Sequence, residues 1–405
     1  VPEAAAKAEK ILGMNSHAAL NRLRPAVPHA DAADAAGEPR LRAVHRAVAE
    51  LRRGTPVLLE VAAHDLRLVA AAETVGARGL AVFAGLRAGL PHFLLAQSRA
   101  AAVLHRPVAE AVVAFRTAPG LLSPALLRSL ADPTAEQLLP APPEVATGAG
   151  DGAAPAAAVQ LAKLARVLPA ALIAPVQADE AADLAGDGLL RVAAADVMAY
   201  PDDVAATLTR VAEARVPLAA SENTRIIAFR PADGGIEHLA ILVGRPEDLP
   251  ADVPAPLARL HSECFTGDLL GSLKCDCGPQ LQGAIAEMAR EGHGVLLYLA
   301  QEGRGIGLVN KLRAYALQDR GSDTLDANRQ IGFGADERNF AVAAAMLEQL
   351  GIGRVRLMTN NPDKLAALAA CGIGVEGRVK HVFPTNGHNA KYLATKAERF
   401  GHLIG

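Results

Sequence analysis

Apolar residues recur at helical spacing through "LRAVHRAVAELRRG" (41–54), and Gly54 closes the run. The short apolar stretch after it, "TPVLLEVA" (55–62), predicts a buried strand. "TAEQLLPAPPEVATGAGDGAAPAAA" (134–158), rich in Pro, Gly and Ala, predicts a surface loop. "AAAVQLAKLARVL" (156–168) then reads as a helix and "AALIAPV" (170–176) as a strand. "MAYPDD" (198–203) looks like another loop, followed by a helix over "VAATLTRVAEARV" ending near 215. Beyond it, "NTRIIAFRP" and "EHLAILVG" predict two strands of a hairpin turned at "ADGG" (232–235). Helical patterns at 281–292, 308–321, 339–353 and 362–374 alternate with strands at 294–300 and 355–359, and Pro362 stands near the start of the last helix.

Strands alternating with helices predict an α/β fold, mixed α+β in detail, and no internal repeat is visible. The length, 405 residues, is too great for one hydrophobic core, so two domains are expected. The boundaries drawn from the pattern are an N-terminal arm over 1–38, a first domain over 39–205 and a second over 206–405.

Composition narrows the function. A net charge of −2 argues against general binding to nucleic acid or membrane surfaces. Aromatic residues make up 3%, which leaves few platforms for stacking single-stranded bases. The beginning of the sequence lacks the basic-then-apolar pattern of a secretory leader, and no stretch reaches the roughly 20 apolar residues of a membrane span. Four cysteines do not make a disulfide framework, so a reducing cytoplasm is expected, with cysteines kept for metal or chemistry.

Three of those four lie in "HSECFTGDLLGSLKCDCGPQL" (261–281), as Cys264, Cys275 and Cys277 in a C-x10-C-x-C spacing. Thiolates are soft ligands suited to Zn²⁺. Three protein ligands with an open position would make a catalytic site. A structural site needs a fourth, for which His261, His293 and Cys371 are candidates.

Together with "YLAQEGRGIGLVNKLRAYALQDRGSDTLDAN", "GFGADERNF", "LMTNNPDK" and "YLATKAERFGHL", in this order, the cysteine segment resembles the GTP cyclohydrolase II family over about 208–405. That family opens the imidazole ring of GTP, releasing formate and pyrophosphate, as the first step of riboflavin biosynthesis. The resemblance implies a C-terminal zinc domain of that family, with one Zn²⁺ on Cys264, Cys275 and Cys277 and Mg²⁺ accompanying the GTP phosphates. It also implies a cytoplasmic homodimer. Arg259, His261, Ser262, Glu263 and Gln280 match nucleotide-contacting positions, as do Glu302, Gly303 and Arg304 in "QEGRGIG". Glycines there let backbone amides approach phosphate, and an arginine can fork onto it. Thr324, Thr359 and Lys364 match further contacts. Tyr315 matches a tyrosine near the ring-opening site. Arg338 is implied as the nucleophile at the α-phosphate, with Asp336 accepting its proton. A guanidinium stays protonated to very high pH, so that role requires the two side chains to converge, and a phosphate clamp is the alternative. Where the family commonly shows "LRQEGR", this chain has Leu299-Ala300-Gln301, so a positive charge beside the loop must come from elsewhere or be dispensable. A related enzyme with another nucleotide product, and a nucleotide-binding regulator with structural zinc, are the competing readings.

The first half is similar in hydrophobic pattern to a 3,4-dihydroxy-2-butanone-4-phosphate synthase domain, through "HRAVAELRRGTPVLL", "LRLVAAAETV" and 156–176. The residues of that chemistry are replaced. The acidic run keeps only Glu60 and Asp65, the Gly-His-Thr-Glu stretch is Ala153-Ala154-Pro155-Ala156, and the late glutamate is Pro175. A degenerate synthase-like α/β domain that supports the second half or its dimer is therefore expected.

Overall fold

The computed structural model describes residues 37–384 and Gly387. The expected arm over 1–38 lies, apart from its last two residues, outside the described residues. So does the "YLATKAERFGHL" segment.

The first half builds a six-stranded sheet, in the order β4-β3-β5-β2-β1-β6. Its strands are β1 (Val57–Ala62), β2 (Asp65–Ala71), β3 (His92–Ala96), β4 (Val112–Arg116), β5 (Ala170–Val176) and β6 (Arg191–Ala193). All neighbours are antiparallel except β1 and β6. The helices are α1 (Glu38–Arg53), α2 (Ala77–Ala84), α3 (Gln97–Leu104), α4 (Pro124–Ala131), α5 (Ala153–Leu164), α6 (Ala178–Gly186) and α7 (Ala194–Ala206). Alternation along β2 sends Leu68 and Ala70 to one core and Val69 and Ala71 to the other, so both faces of the sheet are covered.

The second half builds a seven-stranded sheet, β13-β12-β10-β11-β9-β8-β7. Antiparallel β7 (Thr209–Arg215), β8 (Thr224–Arg230) and β9 (His238–Val243) lead to parallel β10 (Leu257–Ser262), β11 (Gly294–Leu299), β12 (Arg354–Met358) and β13 (Gly374–Val379). Helix α8 (Cys277–Glu291) links β10 to β11. The chain then passes through α9 (Leu308–Asp319), α10 (Thr324–Gln330) and α11 (Ala341–Gln349) to β12, on the other side of β10. The strand order thus reverses at β10, which opens a crevice at the carboxyl ends of β10, β11 and β12. Helix α12 (Pro362–Ala370) follows β12.

The mixed α/β class and the two sheets agree with the sequence pattern, as do the hairpin of β8 and β9 and helices α8, α9, α11 and α12, whereas strand β10 and the short α10 were not expected. Three local expectations are corrected. The helix expected to end near 215 is α7 followed by the edge strand β7, whose seven residues are exposed or half-buried. With neither face buried, β7 carries no apolar alternation to read, and it is held by its ladder to β8 and by Glu213 on Arg225 at 2.9 Å. "MAYPDD" belongs to α7 rather than a loop, because an interior proline removes a single helical donor while flanking residues pack. The loop expected to 158 ends at Gly152, and α5 stops at Leu164, two residues before a left-handed Arg166 with φ +56°.

The two halves share a core. Ile306, Leu317, Ile331 and Phe333 cluster with Leu68, Phe93 and Leu172 of the first sheet. Gly332 lies so near Pro169 and Arg99 that a Cβ there would sit 3.3 Å and 3.4 Å from their side chains.

Candidate active site

A pocket with about 1050 Å³ of empty space, open solvent included, lies in the crevice. Its wall contains every site residue expected from the sequence except Asp336, which lies just behind it on Arg338. Three strand ends account for this convergence. β10 delivers Arg259, His261 and Ser262, then Glu263 and Cys264. The turn after β11 delivers Glu302, Gly303 and Arg304. The turn after β12 delivers Thr359, and α12 adds Lys364.

The three cysteine sulfurs lie within 4.8 Å of one another, with Cys264 and Cys275 at 3.8 Å. Zn–S bonds of about 2.3 Å make the S–S edge of a tetrahedral site about 3.8 Å. Gly267 leaves the cradle clear, since a Cβ there would stand 2.7 Å from Cys275 Sγ and 2.9 Å from Cys264 Sγ. The Gly267 N–H donates to Cys264 Sγ at 3.3 Å. The trio therefore fits a zinc ion. Among the described residues no histidine, carboxylate or further cysteine completes a fourth ligand. His261 instead engages Asp268 through Nε2 at 3.0 Å and stacks on Tyr298, and Cys371 is exposed at the end of α12. An open position is the arrangement of a catalytic rather than a structural metal.

Charge around the trio is arranged by hydrogen bonds. Cys264 falls far below the usual thiol range, chiefly through Cys275 and Cys277 and then through Lys311, while burial opposes. Cys275 and Cys277 are pushed up, foremost by sharing hydrogen bonds with Cys264. The ammonium of Lys311 beside Cys264 Sγ favours negative charge on the trio. Lys311 Nζ stands 3.0 Å from Cys264 Sγ, 3.0 Å from Thr266 Oγ1 and 2.9 Å from Glu302 Oε1. Burial pulls this ammonium down, but its thiolate and carboxylate partners more than offset that and raise it. Lys311 was absent from the expected set. It stands one helical turn before Tyr315 and so shares its face, but that spacing alone does not say that the face turns toward the cysteines. Asp268 was also missed. It gathers His261, the Cys264 N–H at 3.0 Å and Tyr298 Oη at 2.9 Å, and nothing in the cysteine spacing predicts such a hub.

Glu302 is 4% exposed and fully engaged. Its oxygens accept from Phe265 N at 2.7 Å, Gly303 N at 3.0 Å and Lys311, which makes it a strut of the loop. Gly303 and Arg304 both adopt left-handed backbone, φ +64° and +63°, which suits glycine and strains arginine. Burial raises Glu263, partly opposed by Arg166. Arg259 is buried and donates to Gln280 Oε1 and, at 2.9 Å, to the Met358 carbonyl. Burial pulls it down to about 10, still cationic at neutral pH. Lys364 Nζ reaches the Leu260 carbonyl at 2.8 Å, and Thr359 Oγ1 accepts from Asn361 N at 3.0 Å. Thr324 opens α10, which Asp323 caps. Tyr315 lies under two ammonium groups, Lys274 at 5.1 Å and Lys311 at 5.7 Å from its ring centre.

Arg338 and Asp336 converge. Arg338 Nε donates to Asp336 Oδ1 at 2.8 Å and Nη2 pairs with Oδ2, while Nη1 reaches Ser262 Oγ at 3.3 Å. Burial would raise Asp336, but the Arg338 fork holds it below the usual carboxylate range.

In the first half, Glu60 is forked by Arg191 and Asp65 pairs with Arg67 at 2.9 Å. Ala153–Ala156 open α5, and the exposed Pro175 lies in β5.

The model of the GTP cyclohydrolase II family matches residues 209–380. A GTP cyclohydrolase-2 of Azospirillum brasilense is 53% identical over 371 residues, 91% of this chain and 95% of that one. A GTP cyclohydrolase-2 of Escherichia coli O9:H4 (strain HS) is 50% identical over 197 residues, 49% of this chain and 98% of that one. Among solved structures, RibBX of A. baumannii, a two-domain 3,4-dihydroxy-2-butanone 4-phosphate synthase, aligns over 83% of this chain and 98% of its own. Its TM-score is 0.33 and its identity 19%. Among the described residues no helix is long and apolar enough to cross a membrane.

Proposed function

The chain belongs to the GTP cyclohydrolase II family, and from that premise we propose that its pocket opens the imidazole ring of GTP. The products are formate, pyrophosphate and 2,5-diamino-6-(5-phosphoribosylamino)pyrimidin-4(3H)-one, at the entry to riboflavin biosynthesis. The observation that carries this reading is the meeting, in one pocket, of a zinc-fitting thiolate trio with the Arg338–Asp336 pair.

Cys264, Cys275 and Cys277 would hold the zinc, which when bound supplies Lewis acidity and an activated water at neutral pH. Tyr315, on the wall beside the cysteines, orients the ring being opened. Arg259 and Gln280, locked to each other, read the base and sugar. GTP enters as its magnesium complex, and the cations Arg304 and Lys364 with the Thr359 and Thr324 hydroxyls receive its phosphates. Ser262 and His261 fix the floor of the pocket, and Gly303 lets backbone amides approach the phosphates. Arg338 acts at the α-phosphate, where its Asp336 partner is placed to take a proton. The second half, from about 206, carries this chemistry as a homodimer, and Leu269, Leu270 and Leu273 expose apolar surface that would suit an interface.

Incubating the full chain with GTP, zinc and magnesium is expected to yield formate and pyrophosphate together. A different product mass would mark a paralogue, and GTP left intact would mean a nucleotide-binding protein with structural zinc.

The first half is proposed to be a synthase-like domain without its chemistry. Ribulose 5-phosphate with magnesium is expected to give no 3,4-dihydroxy-2-butanone 4-phosphate, because Pro175 and Ala153–Ala156 offer no acid, base or metal ligand. Turnover would overturn that assignment.

A further inference from the structure

We propose that the first half supplies two positioning residues to the pocket, Lys163 and Arg166, which together clamp its two substrate loops. Lys163 stands in the last turn of α5 and Arg166 two residues beyond its end. Arg166 Nη2 donates to the Ala300 carbonyl at 2.7 Å, at the root of the loop that carries Glu302, Gly303 and Arg304. Its charge also faces the carboxylates of Glu263 and Glu302. The Arg166 carbonyl accepts from Asn310 Nδ2 at 3.0 Å, and the same amide donates to Ile306 O at 3.0 Å. Lys163 Nζ meets Glu337 Oε1 at 2.7 Å, within the loop that carries Asp336 and Arg338. That carboxylate oxygen also accepts from Gly334 N at 2.7 Å. The two loops touch directly, since Glu337 N donates to Arg304 O at 3.1 Å. One short stretch of the first half therefore grips both loops at once.

Two backbone features mark this as a built contact. Arg166 is left-handed at φ +56°, a conformation that favours glycine, so an arginine there is retained against its backbone preference. Gly307 is the complementary concession, because a Cβ on it would lie 3.2 Å from the Arg166 side chain. Ala300 itself carries no charge, and the guanidinium reaches its carbonyl from the other half of the chain. The loops are thus held in the geometry that receives phosphate before substrate arrives, which lowers the ordering cost of binding.

This inference rests on the nucleotide reading of the pocket, and the test separates the two. The full-length wild type is compared with Arg166→Gly, Arg166→Lys and Lys163→Met. Arg166→Gly removes the side chain and relieves the left-handed backbone, so its melting temperature is expected not to fall. Its KM for GTP is expected to rise roughly tenfold, the worth of one charge-assisted hydrogen bond, with a smaller change in kcat. Arg166→Lys keeps a donor and is expected to recover part of the loss. Amide exchange is expected to quicken over 300–307 in Arg166→Gly and over 334–338 in Lys163→Met. A wild-type KM with unchanged exchange in Arg166→Gly would overturn the clamp, and so would a fall in melting temperature with KM unmoved. A wild type inert on GTP would sink the nucleotide reading alone, and the exchange rates would still decide the clamp.

Discussion

Cys275→Ser is expected to leave the protein folded but without zinc, and to reduce formate release by on the order of a thousandfold or more. Cys275 is 5% exposed and its Sγ stands 3.8 Å from Cys264 Sγ, so a thiolate there faces its partners with little solvent to compete. A serine hydroxyl is a harder donor and stays protonated at neutral pH, so it cannot replace the charge or the softness that zinc selects. Because the pair at the phosphate end does not touch the cysteines, pyrophosphate release is expected to survive better than formate release. Metal analysis of the purified variant, with separate assays of the two products, checks both parts. A variant that keeps one zinc per chain and the wild-type formate rate would show that the trio does not hold the working metal.

At the other end of the substrate, Arg338→Ala is expected to lose pyrophosphate release by roughly a thousandfold, the scale seen when a phosphoryl site loses its arginine. The loss has two sources. The Arg338 fork that meets Asp336 and reaches Ser262 disappears, and the Asp336 carboxylate is left without its partner just behind the pocket wall. Arg338→Lys restores a charge but not the planar fork, so it is expected to recover only a small part of the rate. Pyrophosphate release by Arg338→Ala at the wild-type rate would make the arginine a spectator.

The candidate site was legible through the resemblance of short runs to one family, and two of those runs follow strands that the pattern predicts, β11 and β12, while β10 was not expected. β11 is an apolar stretch buried almost throughout, and β12 alternates half-buried arginines with buried Val355 and Leu357, whereas β10 carries Arg259, His261 and Ser262 within its buried strand and so shows no plain apolar run. Asp336 and Arg338, whose convergence the sequence left as a condition, do meet, although Asp336 stands behind the wall. What could not be read belongs to tertiary structure. Lys311 sits on a helix whose pattern is satisfied without it, and only the fold shows that its ammonium turns inward onto Cys264. β7 has no buried face and so no period. Arg166, at the end of a helix more than a hundred residues away, gives no hint that it reaches Ala300. The missing charge in Leu299-Ala300-Gln301 was legible, whereas the guanidinium that comes to its backbone was not.

Ile331 and Phe333, each 1% exposed, and Leu317, 4% exposed, lie in the core of the first sheet while the segments that carry them form the back of the pocket. The consequence concerns how the chain can be divided. Deleting the first half would bare the apolar side of α9 and α10, whose other side lines the pocket. A shortened chain beginning near residue 206 is therefore expected to expose a sticky surface directly behind its own site, so that solubility and pocket geometry fail together.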